Sequence, residues 1–170
     1  EKRKKTIAAL CEENPHLWDK YLEDKRTFES ANQYCRSTER FALTAVGKLN
    51  TYALFAETMN WILAPHGRAG FIVPSGIATD DSTKHFFADI IQKKRLVSLY
   101  DFENRNAIFP GVHRSYKFCL MTLGASEAAD FAFFLTDTGQ LAENTRRFSL
   151  RASDFASLNP NTRTCPIFRS

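Results

Sequence analysis

Residues 1 to 36 are charged and polar, with Ile7, Leu10, Leu17, Trp18, Tyr21, Leu22 and Phe28 recurring near helical spacing. Asn14-Pro15 interrupts them as an N-cap followed by proline at a first helical position, which predicts two helices with a break there. Residues 37 to 49 show no clear period. From Asn50, a plausible N-cap, "NTYALFAETMNWILAPHG" places Tyr52, Phe55, Ala56, Met59, Ile62 and Leu63 on one face and stops at Pro65 and Gly67, which predicts an amphipathic helix.

"RAGFIVPSG" follows as a short apolar run closed by Pro74 and Gly76, the pattern of a buried strand running into a loop. Asp80, Asp81 and Ser82 are start signals for a helix over "TKHFFADIIQKKR". Its stripe is Phe86, Phe87, Ile90 and Ile91, and Lys93 to Arg95 suit the negative end of its dipole. The runs "LVSLYDF" and "YKFCLMTLG" then read as strands, with a shorter one, "FAFFL", at 131 to 135. Helix, strand, helix, strand, strand is an α/β order, and the close pair of strands is expected to be antiparallel. Residues 136 to 170 read as looser, with a short helical candidate after Ser153 and a turn-rich "LNPNT".

Composition narrows this picture a little. With 170 residues, 44% of them hydrophobic and 15 of them Phe, the chain can form one ordinary core. A net charge of +4 permits a phosphate-bearing partner without requiring one. Cys11, Cys35, Cys119 and Cys165 stand far apart, which suits a reducing cytoplasm rather than a disulfide framework. No run is long enough to span a membrane, so no membrane partner is expected. The opening "EKRKKTIAAL" and the ending "CPIFRS" suggest a piece of something longer.

His16, His66, His85 and His113 lie in four different segments and give no metal-ligand spacing. "PSG" lacks the flanking glycine of a nucleophile elbow, and neither a dinucleotide nor a P-loop glycine pattern occurs. Asn14-Pro15 and Asn159-Pro160 lack the second proline and aromatic of an amino-methylation motif, and both read as turn or cap chemistry. The loop 102 to 117 is different. It places Phe109 among Arg105, His113, Arg114 and Lys117 beside strand ends, where α/β sheets hold their ligands. Cations there can hold phosphates and a ring can stack on a base, although composition alone favours Phe109 as a hydrophobic anchor of the loop.

The succession from "NTYALFAETMNWILAPHG" through "FIVPSG" and "DFENRNAIFPGVHRSYKFCLMTLG" closely resembles the distal part of the catalytic domain of bacterial adenine-specific DNA methyltransferases of the restriction-modification and phage-defence type. The likeness covers roughly residues 41 to 170 and is most specific over 50 to 124. It implies a partial Rossmann-like sheet, with "AGFIV" as the fifth strand, "LVSLYDF" as the sixth and "KFCLMTL" as the antiparallel seventh. It also implies a helical insertion at 1–40, the distal α/β half at 41–135, and an extension towards a target-recognition region at 136–170.

The resemblance further implies transfer of a methyl group from S-adenosyl-L-methionine to adenine N6 in double-stranded DNA, in the cytoplasm. Phe109, in its Ile108-Phe109-Pro110 setting, would pack on the flipped-out adenine. Arg105, Arg114 and Lys117 would be candidates for the DNA backbone. The family's cofactor loop and its Asn/Asp-Pro-Pro-aromatic motif are not within these residues, so no catalytic, cofactor-binding or metal residue is assigned and the piece is expected to be inactive alone. A half-sheet would leave "AGFIV" as an edge strand with an apolar face, which leaves room for a homo-oligomer through that edge. Two other readings stand beside this one. One is a non-enzymatic DNA-binding or protein-interaction module on a degenerate sheet. The other is an unrelated Rossmann-like transferase, for which Asp101 and Glu103 are the available strand-end acids, as easily explained by loop polarity or salt bridges.

Overall fold

The computed structural model describes residues 1 to 160 and 164 to 167. The turn-rich "LNPNT" therefore ends outside the described residues. The chain forms two compact units, Glu1–Arg40 and Phe41–Ser170.

The first unit is a helical hairpin of α1 (Lys2–Glu13) and α2 (Pro15–Ser37). The break falls at Asn14-Pro15. The Asn14 carboxamide oxygen accepts the Leu17 amide at 3.1 Å, and Pro15 occupies a position where no backbone donor is needed. None of the residues of α1 or α2 is fully buried, and the stacked rings of Trp18 and Tyr21 form the main aromatic contact of the hairpin.

The second unit runs α3 (Thr51–Ile62), β1 (Ala69–Pro74), α4 (Gly76–Thr79), α5 (Lys84–Gln92), β2 (Leu96–Glu103), β3 (Lys117–Leu123), β4 (Ala128–Leu135), β5 (Phe148–Arg151) and α6 (Ala152–Leu158). The strands form one mixed sheet in the order β1-β3-β2-β4-β5. β3 lies between β1 and β2 and is antiparallel to both, so β1 and β2 run the same way, as the two parallel runs with a close return required. β4 is parallel to β2, and β5 closes the far side antiparallel to β4. β1 is an edge strand, and the expectation for "AGFIV" holds in that respect.

The helices of this unit, α3 to α6, pack on one face of the sheet. There α5 buries Phe86, Phe87, Ile90 and Ile91 against Leu96 and Leu99 of β2, Cys119, Met121 and Leu123 of β3, and Phe131 of β4. The predicted stripe of α5 is thus its buried face. The other face carries a smaller cluster of Phe102, Ala132 and Leu135, flanked by Tyr100, Ile108, Phe118, Leu120 and Leu141. Along it the register aligns Ile72, Leu120, Tyr100 and Ala132, from an Ile72 that is 54% exposed to an Ala132 that is fully buried.

Several local expectations need correction. In α3 the buried residues are Ala53, Ala56 and Glu57, whereas Phe55 and Ile62 of the expected apolar face are exposed. The helix is seated by its small residues and by Glu57, which accepts the Leu43 amide at 3.2 Å and the Thr44 hydroxyl at 2.5 Å. Asn50 is the N-cap of α3 by position but makes no side-chain cap bond. Asp80 precedes a 3-10 turn that Asp81 and Ser82 begin, so none of the three caps α5 directly. Thr83 is the N-cap, with its hydroxyl donating to the carbonyls of Gly76 and Asp80. The region after 136 is more ordered than its polarity suggested: it holds 3-10 turns, α6 starting at Ala152, and β5, which was not expected.

Candidate functional site

The C-terminal ends of β1, β2 and β4 and the start of β3 meet at one margin of the sheet, where Pro74 pairs with Phe118, Glu103 with Lys117 and Phe102 with Leu135. Asp101 is buried there at 5% exposure. Its carboxylate accepts the Ser75 hydroxyl and the Phe134 amide, yet burial prevails over both bonds and pushes its pKa above the ordinary value. Glu103 behaves oppositely. A hydrogen bond from Lys117 Nζ at 3.1 Å, helped by the Arg105 guanidinium, holds its carboxyl below the ordinary range. Phe134 adopts a left-handed conformation at a shift in the β2–β4 register, and its ring lies 4.7 Å from Lys117 Nζ.

From this margin the loop 104 to 116 folds over the second face of the sheet. Asn104, with no exposed surface, sits at its base. Ala107 takes a left-handed conformation and closes a 3-10 turn, and Ile108 packs into the Phe102 cluster. Phe109 is 37% exposed, and its ring meets Phe118 edge-on at 4.9 Å, while Phe118 stacks in parallel on Phe102 at 5.4 Å. Phe109 is therefore both anchored and open. One side is fixed by an aromatic pile that runs into the sheet, and the remainder is available to a planar ligand.

The three cations of the loop are placed differently from one another. Arg105 and Lys117 both engage Glu103 and clasp the two stems of the loop. Arg114 is exposed and enters no ion pair among the described residues, and the neighbouring Val112 and Tyr116 are exposed as well. His113 accepts the Ser115 amide at Nδ1 within the same turn. Sequence reasoning passed over Asn104, weighed Ser75 only as a nucleophile and set it aside, and weighed Asp101 as a strand-end acid explained as easily by loop polarity or a salt bridge. Each owes its position to a partner in another strand or further round the loop, which local pattern does not show.

Whether these residues could hold S-adenosyl-L-methionine is decided by the hollows they line. The one among Ser75, Thr79, Asp101, Lys117 and Phe133 measures about 50 Å³, far below the ~300 Å³ and more that small-molecule sites enclose. Its acid is already committed to Ser75 and Phe134. A larger groove of about 360 Å³ lies between α3 and the outer side of β1, lined by Thr51, Tyr52, Phe55, Ala56, Met59, Phe71, Ile72 and Val73. It offers no charged group to a sulfonium, an amino-acid head or a ribose. Neither hollow fits this cofactor as it stands. Among the described residues, no group of three or more His, Cys, Asp or Glu is gathered to hold a metal ion, and no helix is long and apolar enough to cross a membrane.

The fold is similar to that of the type I restriction-modification methyltransferase subunit from Streptococcus thermophilus, at 12% identity and a TM-score of 0.54 over 80% of this chain and 35% of that one. A second similar structure, the type IIG restriction endonuclease BpuSI, aligns at 15% identity and a TM-score of 0.44 over 64% of this chain and 12% of that one. The chain thus spans about a third or less of the length of these proteins. No curated protein matches it in sequence. Residues 19–109, which extend from α2 through α3, β1, α5 and β2 to the exposed ring of Phe109, match the Eco57I restriction-modification methylase. With more than half of its residues in that match, the chain belongs to the Eco57I restriction-modification methylase family.

Proposed function

We propose that this chain is the distal part of the catalytic domain of a DNA methyltransferase of a restriction-modification system, specific for adenine N6 and dependent on S-adenosyl-L-methionine. Its own contribution is the wall of the pocket that receives the target base. The observation that carries this reading is Phe109, a part-exposed ring held by Phe118 and Phe102 at the margin where the strand ends converge. A base in the duplex cannot present its exocyclic amine to an enzyme, so it must leave the stack, and an aromatic face compensates for part of the lost stacking. Arg114, exposed and outside the Glu103 clasp, is the loop cation best placed to meet a phosphate. Arg105 and Lys117 hold the stems of the loop and are the weaker backbone candidates, because a phosphate would have to compete with Glu103.

In this reading the methyl donor is held by residues outside this chain, and the poor fit of the two hollows supports it. The expected outcome in the longer protein is that Phe109→Ala lowers methylation of adenine-containing duplex by about 10- to 100-fold, the range of one lost base stack, while stability falls only by the ~0.5 to 1.5 kcal/mol of the lost edge-on contact with Phe118. Phe109→Trp keeps a ring and retains most of the activity. Tritiated-methyl incorporation measures both. Full activity of Phe109→Ala would remove the base-wall reading. An upstream sequence without an Asn/Asp-Pro-Pro-aromatic motif would favour a binding module over an enzyme.

A further inference from the structure

We propose that Asn104 is the positioning residue for Phe109 in methyl transfer: it sets the pose of the ring from within the loop and itself touches neither base nor phosphate. This rests on the reading of Phe109 as the wall of the base pocket. The Asn104 carboxamide donates from Nδ2 to the Phe109 carbonyl at 3.0 Å and to the Val112 carbonyl at 2.9 Å, and its Oδ1 accepts the Phe109 amide at 2.9 Å. Its backbone amide donates to the Tyr116 carbonyl at 3.0 Å, and its carbonyl accepts the Ala107 amide at 2.9 Å. One buried residue therefore satisfies both backbone groups of Phe109 and ties the two arms of the loop together.

The chemistry of these partners fixes the side chain's identity. The Val112 carbonyl needs a donor and the Phe109 amide an acceptor, while the Phe109 carbonyl takes Nδ2 beside the Val112 amide at 3.1 Å, and a primary carboxamide supplies donors and acceptor from one planar group. Aspartate would keep the acceptor and lose both donors, and leucine would keep neither. Ala107 gives a second, independent sign. It is held in the left-handed region at φ 53°, which an alanine adopts only where its surroundings dictate it, and its amide bonds back to the Asn104 carbonyl. The turn that delivers Ile108 into the sheet and Phe109 onto Phe118 is thus built around Asn104. Glu103, next in the chain, secures the stems through Arg105 and Lys117.

The test is a double-mutant cycle in the longer methyltransferase, with Asn104→Asp, Phe109→Ala and the two combined. Its readouts are kcat and KM for duplex DNA and the fluorescence of 2-aminopurine at the target position. Asn104→Asp is expected to lower kcat by about ten-fold with little change in KM for DNA, because a displaced reacting geometry costs turnover more than affinity. It should also reduce the fluorescence change on base flipping. The combined variant should be no worse than Phe109→Ala alone, as expected when one residue acts through the other. If Phe109→Ala is impaired while Asn104→Asp is not, or if the two losses add, the positioning role is overturned and the base wall stands. If Phe109→Ala is itself fully active, both fall. Should the Asn104 variants fail to fold, hydrogen exchange on the unmodified protein still decides. A protected Phe109 amide supports the clamp, and exchange at the rate of an open loop overturns it.

Discussion

Asp101 and Glu103 stand two residues apart on β2, and their surroundings drive their titrations in opposite directions. For Asp101 the folded carboxyl keeps its proton to higher pH than the unfolded one. The stability it contributes is therefore complete below the ordinary value of 3.8 and is lost as pH rises through its raised folded value. For Glu103 the folded carboxyl releases its proton earlier, so its contribution is present above 4.5 and is lost as pH falls through its lowered value. Thermal unfolding between about pH 3 and pH 8 should then separate the two. The stability of Asp101→Asn relative to the unsubstituted chain is greatest near neutrality and shrinks on acidification. Glu103→Gln is the less stable variant near neutrality and converges with the unsubstituted chain in acid. Parallel pH profiles for the two variants would contradict the assignment. At this scale the sequence revealed Phe109, because an aromatic beside Pro110 and Gly111 in a charged loop is locally conspicuous. It did not reveal Asn104, Ser75 or Glu57, since a polar residue next to a strand or inside a helix reads as solvent-facing until its distant partner is known. Thr44, which donates to Glu57, lies thirteen residues away.

Among the elements, α5 and α3 show where hydrophobic periodicity succeeds and where it misleads. Phe86, Phe87, Ile90 and Ile91 cover β2, β3 and β4 within the same chain, so the apolar stripe of α5 and its buried face coincide. In α3 the stripe through Phe55 and Ile62 faces outward, and Ala53 and Ala56 seat the helix. Periodicity reports which side of a helix is apolar, and the covering of that side depends on neighbours it does not specify. What fixes the far end of α3 is polar. The Arg95 guanidinium donates from Nη2 to the carbonyls of Asn60 at 3.3 Å and Leu63 at 3.2 Å, meeting the unsatisfied acceptors and the negative end of the helix dipole together. Removing this cap with Arg95→Ala should destabilise the second unit by about 1 to 2 kcal/mol, with Arg95→Lys recovering part of the loss. Denaturant unfolding followed by tryptophan fluorescence measures it, and Trp61, one residue beyond Asn60, reports locally. β5 escaped the sequence reading for a related reason. Its four residues are too few to display alternation, and Phe148 becomes a strand residue only by pairing with Phe131.

At the scale of the whole molecule, the two edge strands of the sheet, β5 and β1, differ in what lies beside them. Beyond β4, β5 supplies an antiparallel neighbour and α6 returns Phe155 to the core, so that side of the sheet is covered from within the chain. At β1 no described strand pairs on the outer side, and the groove against α3 leaves Phe55 64% exposed beside the half-exposed Ile72. The described hollows are either too small or too apolar to hold S-adenosyl-L-methionine, and in the proposed reading the chain's own contribution is the base wall at Phe109. In that reading the base wall lies at the margin beside Phe109 and the donor site lies outside this chain, so the chain carries the first without the second. The 170-residue chain by itself is accordingly expected to transfer no methyl group to adenine-containing duplex. Calorimetry is expected to show no binding of S-adenosyl-L-methionine at concentrations that saturate an intact methyltransferase, with thermal unfolding of the same sample as the check that the chain is folded. Robust transfer, or tight donor binding that survives substitution of Asp101, would mean that the groove along β1 rearranges into a donor site. Donor binding abolished by Asp101→Asn would instead place that site at the margin beside Phe109.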